Sequence, residues 1–296
     1  MTAEGRGFAW VLNLDAELEL AQKGYTPRAR LLAQLQQYGH DSRRLLGPQD
    51  VLLREPQQRL RAADYVGRAW CPTPRALARM QSSGVRPEPH PAAEVLLRVN
   101  HRRFAFELGG GLPGQRYLSD RSELAAELRA ARSAVLLKRP LAFAGRGQLR
   151  VYAHERITEK EWSWIDGSLH TDGLILEPLV RPTLEFSLHG FVWQNAQREL
   201  GAPCVQEVSE RGVFRGVRRA LAGELNAEEE RKLFEQGERV AAALADAGYF
   251  GPFGIDGYRY QGCGRVGLCA LSEINARYTM GFITGFPRHP SELWLG

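Results

Sequence analysis

The chain has 296 residues, 44% of them hydrophobic, enough for one large domain or two to three smaller ones around a buried core. Its 39 Lys and Arg against 34 Asp and Glu leave a net charge of +5, nearly all from scattered arginine. That balance suits an anionic ligand such as a nucleotide and is too diffuse to argue for nucleic acid by itself. Cys71, Cys204, Cys263 and Cys269 form no CxxC pair and have no His at zinc spacing, so neither a disulfide framework nor a structural zinc is expected. No run reaches the roughly 18 apolar residues of a membrane span, and "FAWVLNLDAELELA" is broken by Asn13 and Asp15, so a soluble cytoplasmic protein is expected.

In chain order, "FAWVLNL" predicts a strand, "TPRARLLAQLQQYG" a helix starting at Thr26 with Pro27 at its first turn, and "DVLLRE" a second strand. Strand, helix, strand implies a small parallel sheet. A second helix repeats the Thr-Pro start at Thr73 and ends at Gly84, and the proline-rich "VRPEPHP" marks a domain boundary. Beyond it, "VLLRVNHRRFAFEL", the loop "GGGLPGQRY", the helix "SDRSELAAELRAA" and the strand "AVLLKRPLAFAGRGQLRV" predict an α+β unit. The remainder is expected to be mostly strand, with the tryptophans of "EWSWIDG" half-exposed on a hairpin. One strong helix, "NAEEERKLFEQGERVAAALADAG", starts with the cap signature of Asn226 and Glu229 and ends at Gly248. Leu233, Val240 and Leu244 form its apolar stripe.

The chemistry gathers near the end. "PFGIDGYRYQGCGRVGLCALSEINAR" predicts two strands joined by a turn at Gly262 to Gly267, so Asp256 can face Glu273. Alternation then puts Asp256, Glu273 and Asn275 on one face, an oxygen-only donor set of the kind Mg2+ or Mn2+ prefers beside a nucleotide triphosphate. A solvated strand face is the plain alternative. Lys138 leaves an apolar strand and runs into Gly145, Arg146 and Gly147, offering a point charge and a small glycine loop to phosphate without a GxxxxGK[ST] or GxGxxG fingerprint. Glu177 ends one strand and Glu185 starts the next. His170, His189 and Cys204 tempt as a nucleophilic set, but nothing sets a base beside the thiol, and an inert cysteine is expected. "HRRF" and "VRRA" read as solvated faces.

A strand lysine with a glycine loop, a strand ending in Glu-Pro-Leu-Val, a later Glu, then Asp, Glu-x-Asn and Arg resembles the ATP-grasp superfamily over about residues 94 to 285. The resemblance implies an N-terminal α/β domain over 1–93, an ATP-grasp subdomain with the glycine loop over 94–180, and a second with the metal site over 181–296. It implies that Lys138 and the loop Gly145 to Gly147 meet the phosphates of ATP. Glu177, Leu179 and Val180 would line the adenine hinge, and Glu185 would bind the ribose. Asp256, Glu273 and Asn275 would be the ligands for Mg2+ or Mn2+, with Glu273 bridging two ions. Arg277, in "EINAR" where relatives carry Glu-x-Asn-Pro-Arg, would sit by the γ-phosphate and the acceptor carboxylate. Of Arg215, Arg218 and Arg219, Arg218 is taken as the substrate anchor. The implied activity is ADP-forming ligation of a small-molecule or peptide carboxylate to an amine or thiol, with no nucleic-acid or membrane partner and a homodimer as the default assembly. A kinase on the same fold and a non-catalytic ATP-binding module are the alternatives.

Overall fold

The computed structural model describes residues 6–22, 24–29, 31, 33, 35, 42–53, 59–61, 63–142, 147–153, 155–208, 214–262 and 265–294. The fully buried strand β1 (Gly7–Val11) lies between β2 (Val51–Leu52) and β3 (Tyr65–Ala69), and both pairings are parallel as expected. Strand β3 is invisible to the apolar pattern because it carries Arg68. That guanidinium is buried, takes both oxygens of Glu88 (2.7 and 2.6 Å) and lies 3.5 Å from the Phe8 ring centre. A short helix, α1 (Ala16–Ala21), follows β1. The helix expected from Thr26 starts later: Thr26 to Arg28 are not helical, whereas the described residues Ala29, Leu31, Ala33 and Leu35 are. Helix α2 (Pro74–Ser82) follows Thr73 and closes at Gly84, whose φ of 78° falls in the left-handed region that glycine tolerates.

After α3 (Ala93–Asn100) and α4 (Arg102–Glu107) comes an antiparallel sheet of β4 (Arg116–Leu118), β5 (Val135–Lys138), β6 (Gln148–Val151) and β7 (Leu174–Pro178), in the order β4-β7-β5-β6. Helices α5 (Arg121–Ala130) and α6 (Glu159–Leu169) close its core through Leu124 and Ile165. Helix α6 replaces the hairpin expected for "EWSWIDG". A reciprocal Thr158–Glu161 capping box starts it, and Trp162 and Trp164 lie under the guanidiniums of Arg121 and Arg139, each 4.7 Å from the ring centre.

The largest sheet comprises β8 (Arg181–Val192), β9 (Arg198–Leu200), β10 (Cys204–Val208), β11 (Phe214–Arg219), β12 (Gly251–Gly262) and β13 (Arg265–Asn275). Its order is β11-β10-β8-β12-β13, with β9 also on β8. Helix α7 (Ala227–Asp246) covers one face, burying Leu233, Val240 and Leu244 completely. Arg259 on β12 reaches across to both carboxylate oxygens of Glu229 on α7, at 2.7 and 2.6 Å. The chain then passes through α8 (Phe282–Gly285) and returns to the first sheet, where Arg68 donates to the carbonyls of Pro290 and Leu293. Phe8 and Trp10 thereby share one core with Phe186, Phe253 and Phe282. Among the described residues no helix is long and apolar enough to cross a membrane.

Candidate active site

Strands β12 and β13 pair with Asp256 directly opposite Glu273 and Gly254 opposite Asn275, the facing pair expected from the hairpin, reached through a register shift between Asp256 and Tyr258. The face away from α7 therefore gathers Asp256, Glu273 and Asn275 with Glu185 and Gln206 of the neighbouring strands. Asp256 accepts from the Asn275 amide at 2.7 Å and the Gln206 amide at 3.0 Å, both neutral donors. Burial, then the Glu273 charge, pushes the Asp256 carboxyl up to about 7. A carboxylate so hindered from ionising beside another is relieved by a hard cation, and the donors are all oxygens. The three residues therefore fit Mg2+ or Mn2+, although among the described residues no group of three His, Cys, Asp or Glu side chains is clustered for a metal; the third donor here is an amide.

The phosphate-binding candidates lie on the middle sheet. Lys138 Nζ is 2.5 Å from Glu177 Oε1, and both side chains are largely buried. Tyr258 and Cys269, opposite each other on β12 and β13, feel that same carboxylate: burial and then Glu177 raise both, Cys269 to about 11. The lysine–glutamate pair thus lies within electrostatic reach of the large sheet. Gly145 and Arg146 lie outside the described residues. Gly147 has a φ of 71°, and its carbonyl accepts from Arg139 N at 2.8 Å, which draws the two ends of the glycine loop together. Leu179 N donates to Ala134 O at 2.9 Å, and Val180 packs by Gly262, so 177–180 runs from one sheet to the next. Glu185, opposite Tyr258, is half-buried, and burial raises its pKa.

Arg277 meets the acid face from the side. It donates to Asn275 Oδ1 at 2.9 Å, pairs with Glu17 of α1, and lies 5.5 Å from the Trp70 ring centre. Burial works against its charge, and Glu17 overcomes that and raises its pKa. Arg218 is not brought to this face. Val205, its register partner, pairs in turn with the core residue Phe186, so Arg218 faces α7, gripped by both oxygens of Glu224 at 2.6 Å. Its neighbour Arg219 instead shares the row of Cys204, Ser187 and Asp256.

Two participants escape the sequence pattern. Arg102, in the "HRRF" read as solvated, is only 8% exposed and donates to Glu273 Oε1 at 2.9 Å. Glu17, the partner of Arg277, lies in a short helix with no motif around it. Cys71, Cys204 and Cys269 are buried free thiols. Burial drives Cys204 up to about 11 and His189 down to about 4, opposite to what a thiolate–imidazolium pair requires, and His170 is exposed.

No protein-family model matches the sequence, and neither does any curated protein. Among solved structures, D-alanyl-alanine synthetase A from Vibrio cholerae aligns over 97% of this chain and 93% of its own, with a TM-score of 0.58 at 14% identity. N5-carboxyaminoimidazole ribonucleotide synthetase from Thermus thermophilus aligns over 78% of this chain and 62% of its own, with a TM-score of 0.50 at 20% identity. The biotin carboxylase domain of 2-oxoglutarate carboxylase from Hydrogenobacter thermophilus, solved with MgADP and bicarbonate, covers 71% of this chain and 46% of its own, with a TM-score of 0.52 at 15% identity. This chain spans less than two thirds of the last two proteins.

Proposed function

We propose that this chain, which has the ATP-grasp fold behind a small α/β unit, is an ADP-forming ligase that activates a carboxylate with ATP for attack by an amine or thiol. The observation that carries the reading is the convergence of Asp256, Glu273 and Asn275 on one sheet face, tied by Arg102, through Glu273 and the Arg139 carbonyl, to the strand end that carries the buried Lys138–Glu177 pair. We divide the chain accordingly at residues 93 and 180.

In this reading the acceptor carboxylate attacks the γ-phosphorus of ATP. An O–P bond forms, the bond to the β–γ bridging oxygen breaks, and ADP leaves. The amine or thiol then adds to the acyl carbon and loses its proton as inorganic phosphate departs with the C–O electron pair. Lys138 faces the α- and β-phosphates once ATP competes for its pairing with Glu177. Glu177, Leu179 and Val180 line the adenine, Glu185 holds the ribose, and Gly147, with Gly145 and Arg146, would meet the phosphates. Asp256, Glu273 and Asn275 would hold Mg2+ or Mn2+, which when bound supplies positive charge to the triphosphate. Arg277 adds a fixed cation at the acceptor end, aimed by Glu17 and Asn275. Arg219, on the Asp256 row, suits the anionic substrate better than Arg218, which is committed to Glu224. The protein's part is positioning and charge neutralisation, so no side-chain nucleophile is required.

The test is a panel of small carboxylates and peptides incubated with the protein, MgATP and hydroxylamine. A substrate that yields a hydroxamate together with ADP establishes acyl-phosphate chemistry. A stable phosphorylated hydroxyl product with no hydroxamate would replace the ligase by a kinase.

A further inference from the structure

Strand β11 closes one side of the large sheet and is paired with β10 alone. Ala220 N donates to Pro203 O at 3.0 Å, and in an antiparallel pair the bonds toward the partner recur at every second residue. Gly216 and Arg218 therefore turn their backbone groups to β10, whereas Val217 and Arg219 turn theirs away from the sheet. Among the described residues no hydrogen bond from outside the sheet reaches the Val217 N–H or C=O.

This open edge carries its free charge on the site side. Arg218, on the α7 side, is held by Glu224 at 2.6 Å and by Glu207 at 3.2 Å. Exposed Arg219 commits only Nε, to the Thr284 carbonyl at 2.9 Å, which orients the guanidinium and leaves both Nη groups for an anion. Arg215 is exposed farther along the same strand, without an acidic partner among the described residues. The way inward is short: Gln206, opposite Val217, donates to Asp256 at 3.0 Å. Arg219 lies three strands from Asp256 along its own row, about 14 Å at about 4.8 Å per strand.

An open edge invites either a second copy of itself or an extended peptide. Pairing β11 with β11 about a two-fold axis would set the arginines of one copy against those of the other, and like charges across a ladder repel. An acidic chain meets the opposite sign. Building on the ATP reading, we infer that the outer edge of β11 docks an extended acidic peptide, which adds a strand to the large sheet, sets its carboxylates on Arg219 and Arg215, and presents the carboxylate to be activated across the Gln206 row to the acid face. The substrate class is thereby narrowed from any small acid to an acidic peptide. Backbone pairing supplies the affinity and the arginines select the sign of the partner.

The experiment uses the full chain and a fluorescein-labelled peptide of about ten residues alternating Glu and Thr, followed by fluorescence anisotropy, with calorimetry of a non-hydrolysable ATP analogue and Mg2+ alongside. Wild type is expected to bind this peptide and not its Lys-Thr counterpart. N-methylation at alternate residues should weaken binding about tenfold in one phase and leave the other phase unchanged, because only every second peptide N–H faces β11. Val217→Pro, which removes an N–H that points away from the sheet, should weaken the peptide about tenfold and leave the analogue unchanged. Arg219→Glu should weaken the peptide at least as much. Peptide binding indifferent to N-methylation in both phases, or no peptide binding while the analogue still binds, overturns the inference and leaves the ATP reading standing; the arginines then only guard the edge against aggregation. A concentration-dependent dimer abolished by Val217→Pro would assign the edge to a second copy and overturn it equally. A wild-type protein that binds no analogue fails the ATP reading and takes the substrate role of the peptide with it.

Discussion

The imidazole of His189 is bonded on both sides, Nε2 to Ser187 Oγ at 3.1 Å and Nδ1 to Thr279 Oγ1 at 3.0 Å. Glycines wrap it: a Cβ at Gly281 would stand 2.4 Å from Nε2 and one at Gly285 2.6 Å from Cδ2. Ser187 sits opposite Asp256, and Thr279 lies two residues beyond Arg277, so the ring props the arginine's strap against the sheet. Burial lowers its pKa from 6.5 to about 4, so the native state holds it neutral while the unfolded chain protonates it first. Its contribution to stability is therefore complete above pH 6.5 and lost as pH falls toward 4. Urea denaturation at stepped pH should show His189→Gln less acid-sensitive than wild type across that window; equal slopes would contradict this. At this scale the sequence singles out Asp256, Glu273, Asn275 and Lys138 as candidates, because strand alternation and a polar residue at an apolar strand's end are local signals. Arg102 and Glu273 are 171 positions apart, and no local signal links them. Arg218 differs again: which arginine of β11 meets the site depends on the register with β10 and β8, which alternation alone cannot choose.

Helix α7 is the element whose ends were most readable. Asn226 Oδ1 accepts from Glu228 N and Glu229 N at 3.0 Å, and the Asn226 N–H donates in return to Glu229 Oε2 at 2.9 Å. The same Glu229 holds Arg259 on β12, so the cap also sets the helix on the back of the sheet that carries Asp256. Asn226→Ala should cost about 1 kcal/mol of stability, read as a lower denaturation midpoint with nucleotide affinity unchanged. An equal loss of affinity would mean that the cap governs the site directly. The alternating faces of the β12–β13 hairpin were legible for a related reason, whereas the register shift between Asp256 and Tyr258 that sets Asp256 opposite Glu273 has no local signal. Helix α6 was misread because its tryptophans dominate the pattern, although Thr158 and Glu161 spell its start. Strand β3 was missed because a buried arginine satisfied by Glu88 looks like a surface residue until its partner is known.

Across the whole molecule, the candidate site draws on the middle and large sheets and on helices α1 and α4. Glu17 from the first unit orients Arg277, the middle sheet brings Lys138 and Glu177, the large sheet brings the acids, and Arg102 joins the last two. That assembly follows from the chain end returning to pack on the first sheet, where Arg68 holds the carbonyls of Pro290 and Leu293. Most of the order of elements was legible in the sequence, β3 and α6 excepted; the long-range ion pairs that join the units were not, because one partner of each, Glu17 or Arg102, lies outside any motif. The central claim is that the acid face and the lysine form one metal-dependent nucleotide site. The most direct test is calorimetric titration of the wild-type protein and Glu273→Gln with a non-hydrolysable ATP analogue, with and without Mg2+. Binding that requires Mg2+ and disappears in Glu273→Gln is the predicted result. Absence of binding in the wild type, or affinity indifferent to Mg2+ and to the substitution, would make the acid face a solvated strand and contradict the account.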